Sequence, residues 1–164
     1  MLTFQKASAP EQIAIVAGLA HTIWNEHFIT IIDQGQIDYM LEKFQSAEAM
    51  IRQLADGYEY YLFMENGRPA GYFGVQPQAD GTLYLSKLYL LKDQRGKGYA
   101  RLAFEEIKAI ASRHNLKQIW LTVNIHNTDT IAVYKRFGMR LLRTQVADIG
   151  NGYVMDDEVY GYDL

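Results

Sequence analysis

Apolar residues recur three and four positions apart in five segments of the chain, which is the spacing of an amphipathic helix. The longest segment runs from Glu11 to Phe28, where Ile13 and Val16 share one face and the pattern changes near the end. Gly138 follows the last segment at a position typical of a left-handed helix cap. The spacing predicts helices over residues 11–28, 36–45, 46–54, 99–113 and 128–137.

Alternating or β-branched apolar runs predict seven strands. Asn66-Gly67 favours a hairpin turn and Asp80-Gly81 marks a second, so residues 58–90 are expected to form an antiparallel meander. The strand–helix–strand order over residues 82–123 predicts a right-handed crossover between parallel neighbours. The predicted strands are residues 2–6, 58–64, 69–75, 82–90, 119–123, 139–147 and 158–164, the last two joined through Gly150-Asn151-Gly152. The chain is expected to be one α+β domain over residues 1–164, a mixed αβα sandwich.

Composition excludes several classes of protein. The chain of 164 residues is 49% hydrophobic with a net charge of −3, which argues against disorder, and it has no basic stripe for nucleic acid. It has no cysteine, so disulfides, a thiolate nucleophile and Cys-ligated zinc are excluded, and its four histidines lack metal-ligand spacing. Neither a membrane-spanning run nor a signal peptide is visible, so a cytoplasmic protein without metal or membrane partner is expected.

The most informative segment is a glycine turn, Arg95-Gly96-Lys97-Gly98-Tyr99-Ala100, between a predicted strand and a predicted helix. Glycines let several N–H groups point one way, and the helix dipole and two cationic side chains favour a phosphate or pyrophosphate there. The dinucleotide fingerprint fails because Arg101 replaces its third glycine, and the P-loop spacing is also absent. A turn that only caps the helix is the alternative reading.

The glycine turn also resembles a known signature. Arg95-x-x-Gly98-x-Ala100 is similar to the Q/R-x-x-G-x-G/A motif of the GCN5-related N-acetyltransferase (GNAT) superfamily. The later stretch resembles that superfamily's N-x-x-A-x-x-x-Y-x-x-x-G-F pattern in type and order, and the order of elements agrees over nearly the whole chain. Residues 24–44 and 153–163 look most like PaiA-type polyamine acetyltransferases. The later stretch is carried by Asn127, Ala132, Tyr134, Lys135, Gly138 and Met139.

The resemblance implies a fold and a cosubstrate. The fold would be a mostly antiparallel central sheet with a splayed parallel pair in its middle, flanked by helices, and the cosubstrate would be acetyl-coenzyme A (acetyl-CoA). The backbone of Leu88, Tyr89 and Leu90 would pair with pantetheine, although plain core strand is a compatible reading. The pyrophosphate would be held by Arg95, Gly96, Lys97, Gly98, Tyr99, Ala100 and Arg101.

The resemblance assigns two further residues. Asn127 would contact the cofactor arm, or would be a simple helix N-cap. Tyr134 would point at the departing sulfur, or would only pack beside Ile131 and Phe137. Because a tyrosine has a pKa of about 10 and a thiol about 8.5, full proton donation is uphill by about 2 kcal/mol. Tyr134 is therefore expected to act as a hydrogen-bond donor to the forming thiolate.

The acceptor amine must lose a proton, and the sequence offers no clear base for it. Relatives place a glutamate at the position of Thr122 or near Ser86, and neither residue is acidic here. A water chain, Glu26, His27 or His126 remain as alternatives. The acidic run 156–158 could attract a cation, but such a run is more typical of a solvated turn.

These observations lead to three functional hypotheses. The first is an N-acetyltransferase that moves the acetyl group of acetyl-CoA to a primary amine by direct attack in a ternary complex, since no cysteine can carry the acetyl group. Its acceptor would be a polyamine, a small amine or a protein amino group, and a homodimer would be common for the family. The second is a catalytically weak CoA-binding regulatory domain of the same fold. The third, an unrelated nucleotide-phosphate enzyme, is disfavoured by the failed motifs.

Overall fold

A computed structural model describes all 164 residues and contains seven strands and five α-helices. Short 3₁₀ turns follow the first helix at Phe28–Thr30 and precede the fourth at Lys92–Gln94. Each predicted element is present, with ends that differ by a few residues at most sites. In chain order they are β1 Leu2–Ala7, α1 Pro10–His27, α2 Gln34–Phe44, α3 Ala47–Ala55, β2 Glu59–Glu65, β3 Arg68–Pro77, β4 Thr82–Leu90, α4 Tyr99–Arg113, β5 Gln118–Asn124, α5 Thr128–Arg136, β6 Arg140–Gly150 and β7 Tyr153–Asp163.

The strands form one sheet in the order β1-β2-β3-β4-β5-β7-β6. The β1–β2, β2–β3, β5–β7 and β6–β7 pairs are antiparallel, whereas β4 and β5 are parallel. The parallel ladder has only three residue pairs and ends where Tyr84 pairs with Trp120, although both strands continue beyond this point. The predicted α+β fold, a mostly antiparallel sheet with a splayed parallel pair in its middle, is therefore confirmed.

Backbone contacts divide the chain into two compact units. Unit 1 consists of residues 1–76 and 87–103, and unit 2 of residues 77–86 and 104–164. Both β4 and α4 contribute residues to each unit. A single domain over residues 1–164 remains a prediction.

Aromatic side chains fill the core of unit 1. The Phe4 ring packs edge-on against Phe63, with ring centroids 5.2 Å apart, and Tyr61 stacks on Phe73 at 4.8 Å. Trp24 on α1 stacks on Phe28 at 4.2 Å, just where the helix pattern changes. Such pairs add about 0.5–1.5 kcal/mol each beyond the burial of apolar area.

In unit 2, strand β5 has one apolar face and one polar face. Ile119, Leu121 and Val123 are buried, and the apolar side of this unit also holds Phe104, which stacks on Phe137 at 5.3 Å. Because strand side chains alternate, Trp120, Thr122 and Asn124 lie on the opposite face. This second face, which carries Thr122 and Asn124, is the polar face of the strand.

The last strand corrects one expectation. β7 begins at Tyr153 rather than at residue 158, and it pairs with β5 on one side and β6 on the other. The acidic run is therefore strand and not a solvated turn. Asp157, in the middle of that run, is only 6% exposed.

Replacing Gly71 by alanine is expected to destabilise the protein. A Cβ built there would lie 2.3 Å from the carbonyl oxygen of Tyr89 and 3.0 Å from the Cα of Leu90, so the backbone of β4 must move. Overpacking of this kind costs about 1–3 kcal/mol. Gly18, in α1, has no atom within 4 Å of its added Cβ, so Gly18→Ala is the matched control and should stabilise the helix by about 0.5–1 kcal/mol. Urea unfolding measures the change in the free energy of unfolding for both variants, and equal changes would contradict the prediction.

Candidate functional site

The glycine turn in unit 1 requires glycine for its backbone conformation. Gly96 has φ +78° and Gly98 has φ +80°, a region that other L-residues rarely adopt. An added Cβ at either position would meet no atom within 4 Å, so space is not the reason for glycine. The turn leads directly into α4, which begins at Tyr99.

Backbone N–H groups of this turn are available to a ligand. The N–H groups of Gly96, Lys97, Gly98, Tyr99 and Ala100 donate to no backbone or side-chain acceptor, and the Leu102 N–H donates to the Gly98 carbonyl at 3.2 Å. Unpaired amides at a helix start form an anion site. These N–H groups are therefore not occupied by the backbone of the turn itself.

The cationic side chains of the turn are held by neighbours in unit 1. The Arg95 guanidinium donates to the carbonyl oxygen of Leu90 from Nε and Nη2, at 3.2 Å each. Lys97 Nζ donates to Gln94 Oε1 at 3.0 Å and lies 3.5 Å from the carboxylate of Glu65. Lys97 is thus shared with an acidic group, with which an anionic ligand would have to compete.

The strand before the turn is firmly positioned. Leu88, Tyr89 and Leu90 are half-buried, and the N–H of Leu91 donates to the Ala70 carbonyl at 2.9 Å. The Tyr89 ring packs against Trp24, at 5.8 Å between centroids, and against Phe28 and Tyr72. The backbone of this strand segment can therefore bind a ligand only as a fixed strand edge.

In unit 2, Tyr134 lies on α5 and is 7% exposed. Its ring meets Phe137 edge-on at 6.3 Å, while its hydroxyl makes no hydrogen bond. Burial raises the pKa of Tyr134 above its usual value, which makes proton release still harder than expected from the free side chain. The hydroxyl can therefore donate a hydrogen bond but is a poor acid.

Asn127 occupies the N-cap position of α5, which is one of the two roles expected for it from the sequence. Its carbonyl accepts from the Ile131 N–H at 3.0 Å, but its side chain makes no capping hydrogen bond. The residue is 6% exposed. The side chain thus does not act as the usual cap.

A polar cluster lies on the polar face of unit 2, where the parallel ladder ends. Tyr84 stacks on Trp120 at 4.3 Å, and its hydroxyl interacts with the side chains of Thr122 and Ser86. Burial raises the pKa of Tyr84, and the negative charge of Asp157 raises it further. These residues come from three strands, β4, β5 and β7.

Asp157 is the residue of this cluster that sequence reasoning missed. It pairs with Asn124 across β5 and β7, its Oδ1 is buried, and that oxygen has no hydrogen-bond partner. Burial first, and then the charge of Asp156, raise the pKa of Asp157 to about 6. The alternation over residues 153–163 was the available signal, because it places Asp157 on the same face as the buried Val159.

The other base candidates from the sequence are weaker. Glu26 and His126 are exposed, and the His27 ring packs edge-on against Phe28 at 4.8 Å in unit 1. None of them is a buried group without a partner. The candidate residues therefore form two groups. The glycine turn and the strand before it lie in unit 1, and Asn127, Tyr134 and the polar cluster lie in unit 2.

The fold and the glycine turn together agree with the class of protein expected from the motifs. The profile of the acetyltransferase (GNAT) family matches residues 20–139. Because this match covers most of the chain, the protein belongs to the GNAT family, and the resemblance stated from its motifs is confirmed.

Individual relatives agree with this assignment. An uncharacterized N-acetyltransferase of Mycobacterium bovis is 32% identical over 98 residues, a match that spans 57% of this chain and 63% of the relative. The crystal structure of a PaiA N-acetyltransferase from Thermoplasma acidophilum in complex with coenzyme A has a TM-score of 0.81 at 14% identity, covering 100% and 99% of the two chains. A GNAT family acetyltransferase from Elizabethkingia anophelis with acetyl-CoA bound has a TM-score of 0.60 at 16% identity, covering 70% and 82%.

The PaiA-like closeness expected from the sequence is thus found again in the fold. No helix of the structure combines the length and apolar character needed to cross a bilayer. The roles of the individual site residues remain predictions.

Proposed function

We propose that this protein is an N-acetyltransferase that transfers the acetyl group of acetyl-CoA to a primary amine by direct attack in a ternary complex. The observation that carries the proposal is the set of unpaired N–H groups from Gly96 to Ala100 at the start of α4. Membership of the GNAT family supports it. Structural relatives with coenzyme A or acetyl-CoA bound support acetyl-CoA as the cosubstrate.

The residues of unit 1 fit the phosphate part of this cosubstrate. Free amides and two positive-φ glycines suit a pyrophosphate, and Arg95, Lys97 and Arg101 add positive charge. In the proposal, the backbone of Leu88, Tyr89 and Leu90 pairs with the pantetheine arm. The N–H near Leu90 would polarise the thioester carbonyl as a single oxyanion donor.

The residues of unit 2 fit the departure of the thiol. The amine nitrogen attacks the thioester carbonyl, a C–N bond forms, and the C–S bond breaks. The electron pair of that bond stays on sulfur, where the Tyr134 hydroxyl donates a hydrogen bond to the forming thiolate. Asn127 would hold the cofactor arm, which agrees with a side chain that does not cap its helix.

The nature of the acceptor is the less constrained part of the proposal. A net charge of −3 favours a cationic amine, such as a polyamine, a small amine or a protein amino group. A cytoplasmic location and a homodimer remain predictions. The alternative is a catalytically weak CoA-binding domain, whose main support is the lack of an acidic residue at Ser86 or Thr122; a buried carboxylate at Asp157 supports the transferase instead.

Thiol release from acetyl-CoA over a panel of amines, monitored together with calorimetric binding, tests the proposal. We expect thiol release that requires both acetyl-CoA and a primary amine. Binding without any thiol release would instead favour the regulatory domain.

A pair of glycine variants tests the turn itself. Gly98 and Gly67 both have φ +80° and no atom within 4 Å of an added Cβ, so alanine costs the backbone the same at each. We expect Gly98→Ala to weaken acetyl-CoA binding by about tenfold, equal to the loss of one aligned amide, and Gly67→Ala to leave it unchanged. Equal dissociation constants in the two variants would contradict the assignment of the turn.

A further inference from the structure

We propose that the Asp157 carboxylate accepts the proton that the acceptor amine loses before it attacks the thioester. This inference rests on the proposed acetyl transfer, and it names a general base that could not be assigned from the sequence. In this proposal Asp157, on β7, takes the role of proton acceptor that an acidic residue at position 86 or 122 would have. Ser86 and Thr122 carry hydroxyl groups here and interact with Tyr84, which in turn interacts electrostatically with Asp157.

Strand geometry places the carboxylate in that cluster. Thr122 and Asn124 are two residues apart on β5, so they share a face, and Asp157 lies directly opposite Asn124 in the β5–β7 register. Tyr84 on β4 is close enough to Asp157 for the two side chains to interact electrostatically. The parallel ladder ends at Tyr84, so β4 and β5 no longer pair at Ser86 and Thr122. Asp157 therefore faces the point where the central strands separate.

The carboxylate is buried yet incompletely paired. Asp157 is 6% exposed, and its Oδ1 has no hydrogen-bond donor. A buried charged oxygen without a partner is costly unless a ligand completes its contacts. An ammonium or a water between the ammonium and Oδ1 would supply the missing donor.

The groups facing Asp157 do not compete for this role. Tyr84 faces it from β4, where burial keeps the phenol protonated, and Asn124 faces it from β5. Gln145 is its partner on β6, and neither amide titrates. On its own strand, the exposed Asp156 only adds negative charge nearby.

The proton balance of the step is complete. An ammonium R–NH₃⁺ gives one proton to the Asp157 carboxylate and becomes R–NH₂, which attacks the carbonyl carbon. As the C–S bond breaks, a second proton leaves the nitrogen and neutralises the thiolate, with Tyr134 as its hydrogen-bond donor. Asp157 then returns its proton to solvent. The net products are the N-acetyl amine, free coenzyme A and one proton.

Asp157→Asn, with Asp156→Asn as its matched control, tests the inference in the full chain. We expect kcat for amine-dependent thiol release to fall about 100-fold in Asp157→Asn, the lower range for loss of a general base, with the Kd for acetyl-CoA unchanged. The wild-type kcat/KM should rise with pH through about 6, the pKa of Asp157, and Asp157→Asn should lack this limb. Asp157→Glu should recover part of the lost rate.

Asp156→Asn provides a second measurement that needs no change at Asp157. It should keep the wild-type kcat at pH 8 and shift the acid limb to lower pH, because the Asp156 charge raises the pKa of Asp157. A wild-type kcat and acid limb in Asp157→Asn, or an unmoved limb in Asp156→Asn, would overturn the inference. Absence of thiol release from the wild-type protein would instead overturn the proposed function.

Discussion

Tyr134→Phe is expected to lower kcat on the order of 100- to 1000-fold while the Kd for acetyl-CoA stays the same. This is the range measured when one donor to a charge that develops in the transition state is removed. The hydroxyl of Tyr134 makes no hydrogen bond in the structure, so its loss breaks no hydrogen bond of the folded protein. An effect on the rate would therefore report on the reaction and not on folding.

The pKa of Tyr134 decides which role is being tested. Burial raises that pKa, so the phenol holds its proton throughout the neutral range and acts as a donor to sulfur. Tyr134→Phe should consequently lower the rate equally at all pH values and keep the acid limb assigned to Asp157. If Tyr134→Phe lost the acid limb instead, Tyr134 and not Asp157 would be the group that accepts the proton.

Tyr61→Phe is the matched control for this substitution. Tyr61 is also buried, at 8% exposure, and its hydroxyl donates to Glu59 Oε1 at 2.8 Å, outside the proposed machinery. Steady-state thiol release and calorimetric binding should give wild-type kcat and Kd in this control. An unchanged kcat in Tyr134→Phe would remove the assignment of Tyr134.

Much of the fold follows from the sequence because local and global signals agree there. Asn66-Gly67 makes the turn between β2 and β3, and Asn66 has φ +50° and Gly67 φ +80°, as a hairpin turn of this composition requires. Gly96 and Gly98 likewise mark the turn before α4. At these positions a residue type and a backbone conformation are tied together by sterics, so sequence alone is sufficient.

The residues that sequence reasoning missed are those whose neighbours are distant in the chain. Asp156 and Asp157 are disfavoured in strands, yet β5 and β6 pair on both sides of β7 and override that preference. The cluster around Tyr84 also depends on register between separate strands. No local pattern states that register, and for this reason the base could not be assigned from the sequence.

Lys87 is the second group that only the structure explains. It lies on β4 in the alternation of the buried Leu83 and Leu85, and it is itself only 4% exposed. Its Nζ donates to the Phe44 carbonyl at 2.9 Å and to Gln53 Oε1 at 2.7 Å, and it also bonds to the Tyr60 hydroxyl. The amine thus joins β4 to α2, α3 and β2 within unit 1.

This burial predicts a stability that depends on pH. Desolvation lowers the pKa of Lys87 from 10.5 to about 7. Between these two values the unfolded chain binds more protons than the folded one, so the free energy of unfolding rises with pH across this window. Below about pH 7 both states are protonated and the full penalty for the buried charge, about 5 kcal/mol, is present. From pH 6 to pH 9 the expected gain in the free energy of unfolding is about 2–3 kcal/mol.

Urea unfolding of wild type and Lys87→Met at pH 6 and pH 9 measures this term, since other titrations cancel in the difference. Methionine keeps the length of the side chain but removes the lysine's hydrogen bonds to the Phe44 carbonyl and to Gln53 Oε1, a cost that does not vary with pH. The free energy of unfolding of wild type, relative to that of Lys87→Met, should therefore rise by about 2–3 kcal/mol between the two pH values. Lys92→Met, at an exposed lysine, should show no such change. A difference independent of pH would mean that the three acceptors around Nζ hold the ammonium charged well above neutral pH, and that desolvation does not dominate at this site.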